Sequence, residues 1–196
     1  MGGVSDHDQP VAANLLDRRF EAERPNQHWV GDVIELLTGE GKLYLGLILD
    51  LFSRMVVGWA LLAASDRHLA LRVLEQVLRR RCPEAGLLRD TDQGSPCASE
   101  DYQRVLAAHG ITCSMSRRGN APDNAAMKSW LSTMTFELGD RFETAADAKT
   151  KLFDYVEVFY DQERRHSTLG YLSPGEFVKE RSRWTPSALP TGWRSP

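Results

Sequence analysis

Residues that commonly bind metals or act as nucleophiles are sparse and scattered in this sequence. The three cysteines are Cys82, Cys97 and Cys113. Their odd number, their wide spacing and the lack of a CxxC motif or a partner histidine indicate neither a disulfide framework nor a zinc site. His28, His68 and His109 also lack a second ligand at metal-binding spacing. Reduced thiols of this kind favour a cytoplasmic location.

Charge and hydropathy narrow the class of protein further. The 196 residues carry a net charge of -3, whereas a protein that holds DNA by its phosphates usually presents a basic face. Local basic patches occur at residues 79–81, 117–118 and 164–166. No signal peptide is recognisable, and the longest apolar run, residues 43–49, is far shorter than the roughly 20 residues that span a bilayer. We therefore expect a globular chain without a membrane role.

Hydrophobic periodicity predicts the elements that would position any site. Apolar runs bounded by turn residues predict five strands, at residues 28–34, 42–50, 55–63, 86–91 and 111–116. Helical spacing and capping residues predict helices at residues 67–81, 99–109, 123–138, from 144 onward, and at 173–180. This order is that of an RNase H-like α/β fold, a five-stranded mixed sheet flanked by helices. The chain would then comprise an N-terminal arm (1–28), one core domain (29–181) and a C-terminal tail (182–196).

The helix that opens at Thr144 has the most regular apolar stripe in the sequence. Its members follow the i, i+4, i+7, i+8, i+11 rhythm and are Ala148, Leu152, Tyr155, Val156 and Phe159. The stripe predicts a helix that carries these side chains on one face.

Several stretches, in order along the chain, carry a resemblance to a known family. They are WVGDVI, KLYLGLILDLFSRMVVGWAL, DTDQGS, SMSRRGNAPDNA and FYDQERRHSTLGYLSPGEF. Together they resemble the catalytic core of DDE transposases from bacterial insertion sequences, the branch that shares the retroviral-integrase core, over about residues 14–180. PVAANLLDRRF resembles the linker that follows the family's helix-turn-helix DNA-binding region, and that region is expected to be absent here.

The resemblance implies a metal-dependent site that this chain has altered. Family members use three carboxylates to hold two divalent metals at a phosphodiester. The resemblance places the first two on Asp32 and Asp92, but the third position falls on Lys128, within DNAAMKSW. Glu137 lies nine residues further along the helix, which is roughly 13 Å away, and cannot replace it. Rescue by Asp123, at the start of the helix, is the other alternative.

Lys128 allows three interpretations of the function. As an internal counter-ion it would form a buried relic with Asp32 and Asp92 and weaken metal binding; no cofactor is then expected, and magnesium or manganese only if the ancestral site survives. The predicted protein is a degenerate or domesticated transposase core, of DNA-transposition ancestry but without strand transfer. Alternatively, the three residues would form a metal-independent enzyme that acts on a small molecule. A protein-binding or homodimeric scaffold is the third alternative, suggested by Trp184 and Trp193.

Five further residues are candidates for substrate binding. They are Arg117, Asn120, Asn124, Cys97 and His166. The two asparagines flank the loop below Lys128, where one would position a ligand and the other would cap the helix. Cys97 stands where the resemblance leads us to expect an aromatic residue, near the mouth of the site. His166 would have contacted phosphate in an ancestor or, equally, would act as a cation at the C-terminus of a helix.

Overall fold

The computed structural model describes residues 12–92, 97, 99–116 and 124–184. At its centre lies a mixed sheet with the strand order β3-β2-β1-β4-β5, and β6 pairs with β1. The strands are β1 His28–Thr38, β2 Gly41–Asp50, β3 Val56–Leu62, β4 Leu88–Asp92, β5 Thr112–Ser116 and β6 Arg141–Phe142. The β1–β2 and β2–β3 pairs are antiparallel, whereas β4 runs parallel to both β1 and β5. The predicted five-stranded mixed sheet is confirmed, and β6 adds a sixth strand of two residues.

Helices cover both faces of the sheet. Those of the described residues are α1 Arg67–Arg81, α2 Glu100–Ala108, α3 Ala125–Leu138, α4 Ala145–Phe153 and α5 Pro174–Trp184. The bounds of α1 agree with the prediction because both ends are capped. The Asp66 carboxylate accepts hydrogen bonds from the N–H groups of His68 (3.0 Å) and Leu69 (3.2 Å), and Cys82 ends the helix in the left-handed conformation (φ 41°). None of the described helices is long and apolar enough to cross a lipid bilayer.

Two hydrophobic cores lie on opposite faces of the sheet. The core beneath α1 and α2 includes Trp29, which is fully buried. The core beneath α3 and α4 includes Val30, Met127 and Trp130. Because side chains alternate along a strand, Asp32, two residues after Val30, is on the same face of the sheet as α3.

α4 continues directly into a π-helix, Asp154–Tyr160. The predicted stripe is buried as far as Ala148, Leu152, Tyr155 and Val156. Beyond them, however, Phe159 is 39% exposed while Tyr160 is 2% exposed. The predicted helix is present, but its buried stripe does not extend to Phe159, because the wider π turn contains an additional residue and brings Tyr160 to the core.

The segment that precedes β1 packs against β5. Leu16 is 2% exposed, and the N–H groups of Leu15 and Leu16 donate hydrogen bonds to the Ser114 hydroxyl at 3.0 and 3.1 Å. The Met115 N–H donates to the carbonyl oxygen of Ala13 at 3.3 Å. These contacts anchor the residues before β1 to the edge of the sheet.

Candidate functional site

Asp32 lies on β1, and Asp92 is the last residue of the neighbouring strand, β4. β1 and β4 run parallel with Val30 opposite Asp90, so positions 32 and 92, two residues further on, fall at neighbouring points of the sheet. Asp32 is half-buried. The carboxyl-terminal end of β4 and the middle of β1 therefore bring together the two acids that the resemblance selects.

Several predicted site residues lie wholly or partly outside the described residues. The side chain of Asp92 and the whole of Arg117 and Asn120 lie outside the described residues, as does Asp123. Their roles stay predictions.

The N-terminus of α3 approaches Asp32 through Asn124. The Asn124 side chain is 6% exposed, and its Nδ2 donates a long hydrogen bond of 3.5 Å to Oδ2 of Asp32. It makes no capping hydrogen bond, and its Oδ1 is buried without a hydrogen-bond partner. Of the two predicted uses for the asparagines, Asn124 thus contacts the acid rather than capping the helix.

Lys128 lies one helical turn beyond Asn124, and its side chain is exposed. The preceding Met127 is fully buried, and successive residues of a helix are about 100° apart, which turns Lys128 toward the edge of the interface. The lysine ion pairs found within the described chain are those of Lys42 and Lys151. The buried position predicted for Lys128 is therefore wrong.

Among the described residues, the groups that face the Asp32 carboxylate are hydrogen-bond donors. Oδ1 of Asp32 accepts a hydrogen bond from the Val33 N–H at 2.8 Å, and Asn124 turns its amide nitrogen rather than its oxygen toward Oδ2. At the position that the resemblance assigns to the third carboxylate, Lys128 carries an ammonium, which is not an oxygen ligand. Over the described residues, no group of three or more His, Cys, Asp or Glu side chains is arranged to hold a metal ion.

Two ionisable side chains are buried in β4 just before Asp92. Arg89 and Asp90 are 1% and 2% exposed. Asp90 accepts hydrogen bonds from the hydroxyls of Ser114 (2.5 Å) and Ser116 (2.6 Å), which tie β4 to β5. Neither residue is predicted as a site residue from the sequence. The available signal was the presence of acids at positions 90 and 92, on one face of a strand.

Arg89 is held on the opposite face of β4. Its Nε donates to the Tyr102 hydroxyl at 3.1 Å, and its Nη1 donates to the carbonyl oxygen of Asp90. A Cβ atom on Gly31 would lie 2.5 Å from Nη2 of Arg89. Gly31, the residue before Asp32, has no side chain, and it therefore leaves room for the buried guanidinium of Arg89.

Cys97 is buried, at 3% exposure, and does not present its thiol at an open site mouth. Together with Asp32, Arg89 and Tyr102 it borders a cavity of about 10 Å³. Small-molecule sites usually enclose about 300–1,000 Å³. The described part of the chain thus provides no substrate-sized pocket at this place, and the small-molecule enzyme gains no support.

The far end of α3 is fixed by Glu137. Its carboxylate accepts hydrogen bonds from the Tyr155 hydroxyl at 2.7 Å and from Nε of Arg164 at 3.0 and 3.2 Å. Burial, and then the bond to Glu137, raise the pKa of Tyr155, so the phenol stays protonated. Glu137 and Arg164 therefore join α3 to the π-helix and the turn that follows it.

His166 sits beside this cluster and is half-buried. Its ring centroid lies 5.0 Å from that of Tyr160, and its Nε2 is buried without a hydrogen-bond partner. Burial, and then the charges of Arg164 and Arg54, lower its pKa from 6.5 to about 4. The imidazole is thus neutral at pH 7 and precedes a short 3-10 turn, Ser167–Leu169. This environment gives no support to the alternative of a cationic His166 at a helix C-terminus.

Solved structures with a similar backbone include integrase catalytic core domains. The HTLV-2 integrase catalytic core domain in complex with magnesium, in its dimeric form, matches with a TM-score of 0.55 and 18% identity over 80% of this chain and 97% of that one. A chain of the simian T-cell lymphotropic virus intasome, in complex with PP2A regulatory subunit B56 gamma, matches with a TM-score of 0.63 and 14% identity, over 98% of this chain and 65% of that one. The RNase H-like α/β fold of the integrase core is therefore confirmed.

Sequence comparison defines the family. Two models of the integrase core domain match residues 22–121 and 109–174. The transposase for insertion sequence element IS904 of Lactococcus lactis is 41% identical over 171 residues, 86% of this chain and 68% of the relative. Transposase InsF for insertion sequence IS3A of Escherichia coli is 39% identical over 173 residues, 87% of this chain and 60% of the relative. The chain belongs to the integrase core domain family, as an insertion-sequence transposase catalytic core, and spans 60–68% of the length of these two relatives.

Proposed function

We propose that this chain is a transposase catalytic core, degenerate or domesticated, that does not perform metal-dependent DNA strand transfer. The observation that carries the proposal is the ammonium of Lys128. It stands one turn beyond Asn124, at the end of α3 that approaches Asp32, where the resemblance assigns the third metal-binding carboxylate.

An ammonium at this position opposes metal binding in two ways. It supplies no oxygen ligand, and it repels the cation. For a single and a double positive charge about 6 Å apart in a water-like dielectric, the repulsion is about 1.4 kcal/mol. A carboxylate at position 128 would reverse the sign, a total change of about 2.8 kcal/mol or about a hundredfold in affinity, before any gain from direct coordination.

DNA is the ancestral partner, because the relatives are named transposases for insertion sequences. Two observations support weak DNA binding in this chain. Its net charge is -3, whereas DNA-binding surfaces are basic. Arg164, which belongs to the basic patch at residues 164–166, forms an ion pair with Glu137, and its guanidinium lies 5.9 Å from the centre of the Tyr160 ring. Its charge is therefore partly compensated within the chain.

Titration of the purified chain with magnesium and with manganese, followed by calorimetry, tests the role of the lysine. The parent chain is expected to bind neither ion in the millimolar range, whereas Lys128→Glu is expected to gain binding. Lys149→Glu provides the matched control, because Lys149 is an exposed lysine on α4 and the change of charge is the same. Equal metal binding by the parent chain and Lys128→Glu would show that the lysine does not disable the site.

Nicking of supercoiled plasmid DNA tests the loss of strand chemistry. The parent chain is expected to leave the plasmid intact in the presence of either metal. Asp32→Asn controls for contaminating nucleases, since it removes the first of the two acids. Nicking by the parent chain that disappears in Asp32→Asn would refute the proposal.

Self-association is a second candidate role, favoured by an exposed aromatic residue. Phe136 on α3 is 91% exposed, and Phe153 and Val158 on the following helices are 52% and 50% exposed. Contiguous exposed apolar patches mark interaction surfaces. A second copy of the chain would cover these side chains, consistent with the dimeric form of the HTLV-2 integrase core.

A further inference from the structure

A cleft of about 740 Å³ opens at the end of the sheet where β1 and β4 begin. It lies between the segment before β1 and the turn that joins β2 to β3. Its lining includes three arginines and one acid, which are Arg18, Arg19, Arg54 and Glu21. Its volume falls within the roughly 300–1,000 Å³ that small-ligand sites enclose. The cleft is separate from the surroundings of Asp32, because β1 enters it at His28 and carries Asp32 further along the strand.

Arg54 has unused hydrogen-bonding capacity in this cleft. It is half-buried, and burial lowers the pKa of its guanidinium, yet it forms no ion pair with any described residue. Its hydrogen bond is a long one of 3.4 Å, from Nη2 to the carbonyl oxygen of Phe20. A guanidinium offers five N–H donors in a planar fork that suits phosphate. A partly desolvated cation with spare donors gains more from an incoming anion than a solvated surface arginine does.

The backbone around the cleft is held in an uncommon conformation. Arg18 (φ 63°) and Arg54 (φ 60°) both line it in the left-handed region, and the neighbouring Asp17 and Asn26 have φ values of 40° and 58°. For residues other than glycine such φ values are unfavourable and persist where the surrounding structure enforces them, often at ligand sites. The arginines are therefore presented by a constrained backbone rather than by a free loop.

Apolar side chains complete the lining of the cleft. Leu15, Leu16, Phe20 and Leu88 line it alongside the arginines. An aromatic and aliphatic wall beside cationic donors matches a ligand with one flat apolar part and one phosphate. We propose that this cleft binds a nucleotide, with its phosphate against Arg54 and Arg19 and its base against Phe20 and the leucines. The nucleotide is either a free mononucleotide or one residue of a nucleic-acid strand.

Binding of adenosine 5′-monophosphate to the full 196-residue chain, measured by calorimetry in metal-free and phosphate-free buffer, tests the proposal. Saturable binding is expected, with adenosine at least tenfold weaker because it lacks the phosphate. Arg54→Asn is expected to reduce the affinity on the order of tenfold or more, the loss typical of a charge-assisted hydrogen bond. Asparagine is chosen because it tolerates the left-handed conformation of position 54.

Two further variants keep the test decisive if Arg54→Asn fails to fold. Arg19→Gln changes an exposed arginine of the cleft and is expected to weaken binding, whereas Arg72→Gln, on the exposed side of α1, removes the same charge and is expected to leave it unchanged. Equal affinity for adenosine and the monophosphate, equal losses in both variants, or no saturable binding would overturn the proposal.

The source of the nucleotide is decided by competition. If 5′-phosphorylated tetrathymidylate displaces the monophosphate and binds more tightly, the ligand is part of a strand. If it does not compete, the ligand is a free nucleotide. Either result supports the cleft, and neither depends on the metal chemistry at Asp32, so a live transposase site would leave this inference standing.

Discussion

Replacement of His166 by phenylalanine should change how the stability of the chain depends on pH. The imidazole has an ordinary pKa of 6.5 that the folded chain lowers to about 4. At a pH between these two values, His166 is protonated in the unfolded chain and neutral in the folded chain. The folded state therefore loses stability as the pH falls from 6.5 toward 4. Above pH 6.5 the histidine is neutral in both states and has no such effect. Phenylalanine cannot titrate, and it can keep the edge-on ring contact with Tyr160.

The size of the effect follows from the two pKa values. At pH 5, proton linkage alone gives a loss of about 2 kcal/mol for the parent chain relative to pH 7.5. His166 is partly exposed, so solvent screening reduces this to about 1 kcal/mol. For a chain of this length, 1 kcal/mol corresponds to a shift of about 2–4 °C in Tm.

Thermal unfolding of the parent chain and His166→Phe at pH 7.5 and pH 5.0 measures the effect. The free energy of unfolding of the variant relative to the parent should rise by about 1 kcal/mol when the pH is lowered from 7.5 to 5.0. His68→Phe, on the exposed side of α1, is the matched control for the exchange of an imidazole for a phenyl ring. The reasoning is refuted if the difference for His166→Phe is the same at both pH values, whatever its sign at pH 7.5.

Three further changes test the packing beneath and beside the site. Asp90→Ala leaves the buried hydroxyls of Ser114 and Ser116 without their acceptor and should lower the free energy of unfolding in urea by about 2–4 kcal/mol; a loss below 0.5 kcal/mol would contradict the network. Gly31→Ala places a Cβ against the Leu47 carbonyl and the Arg89 guanidinium, so it should cost about 1–3 kcal/mol in the same measurement, and an unchanged midpoint would contradict this. Phe136→Ser should convert a dimer to a monomer in light scattering without lowering Tm; an equal mass for both chains would argue against the exposed face as the interface.

Local signals were sufficient to predict most of the fold. α1 was predicted with its observed bounds, because Asp66 caps one end and the apolar spacing stops before Pro83. β6 was not predicted, since two residues carry no periodicity and its pairing with Leu37 and Thr38 of β1 is a long-range contact. The π turn at Asp154–Tyr160 was also beyond prediction, because either register of the apolar stripe offers an aromatic residue to the core.

The candidate site was predictable in its residue types and less so in its geometry. The resemblance selects Asp32 and Asp92, and the structure places these two positions on adjacent parallel strands, β1 and β4. The exposure of Lys128 depends on the rotation of α3 about its axis, which is set by the burial of Met127 and Trp130 against the sheet. A helix with several apolar residues around its circumference does not specify this rotation in its sequence alone.

The exposure of Lys128 explains how the fold tolerates a lysine at the position that the resemblance assigns to the third carboxylate. A lysine at an exposed helix position costs the fold little, so exchange to glutamate should change stability by no more than about 0.5 kcal/mol. Glu137, the acid at the other end of α3, is not free to substitute. Moving the Glu137 carboxylate would leave Tyr155 and Arg164 without their acceptor, which would lower the free energy of unfolding by about 1–3 kcal/mol. Glu137 also lies roughly 13 Å along the helix from position 128. A substitution at position 128 is therefore expected to change metal binding without changing the stability of the fold. A gain of metal binding in Lys128→Glu at unchanged Tm would therefore report on the site itself, whereas a parallel change in Tm would place the lysine among the residues that hold the fold together.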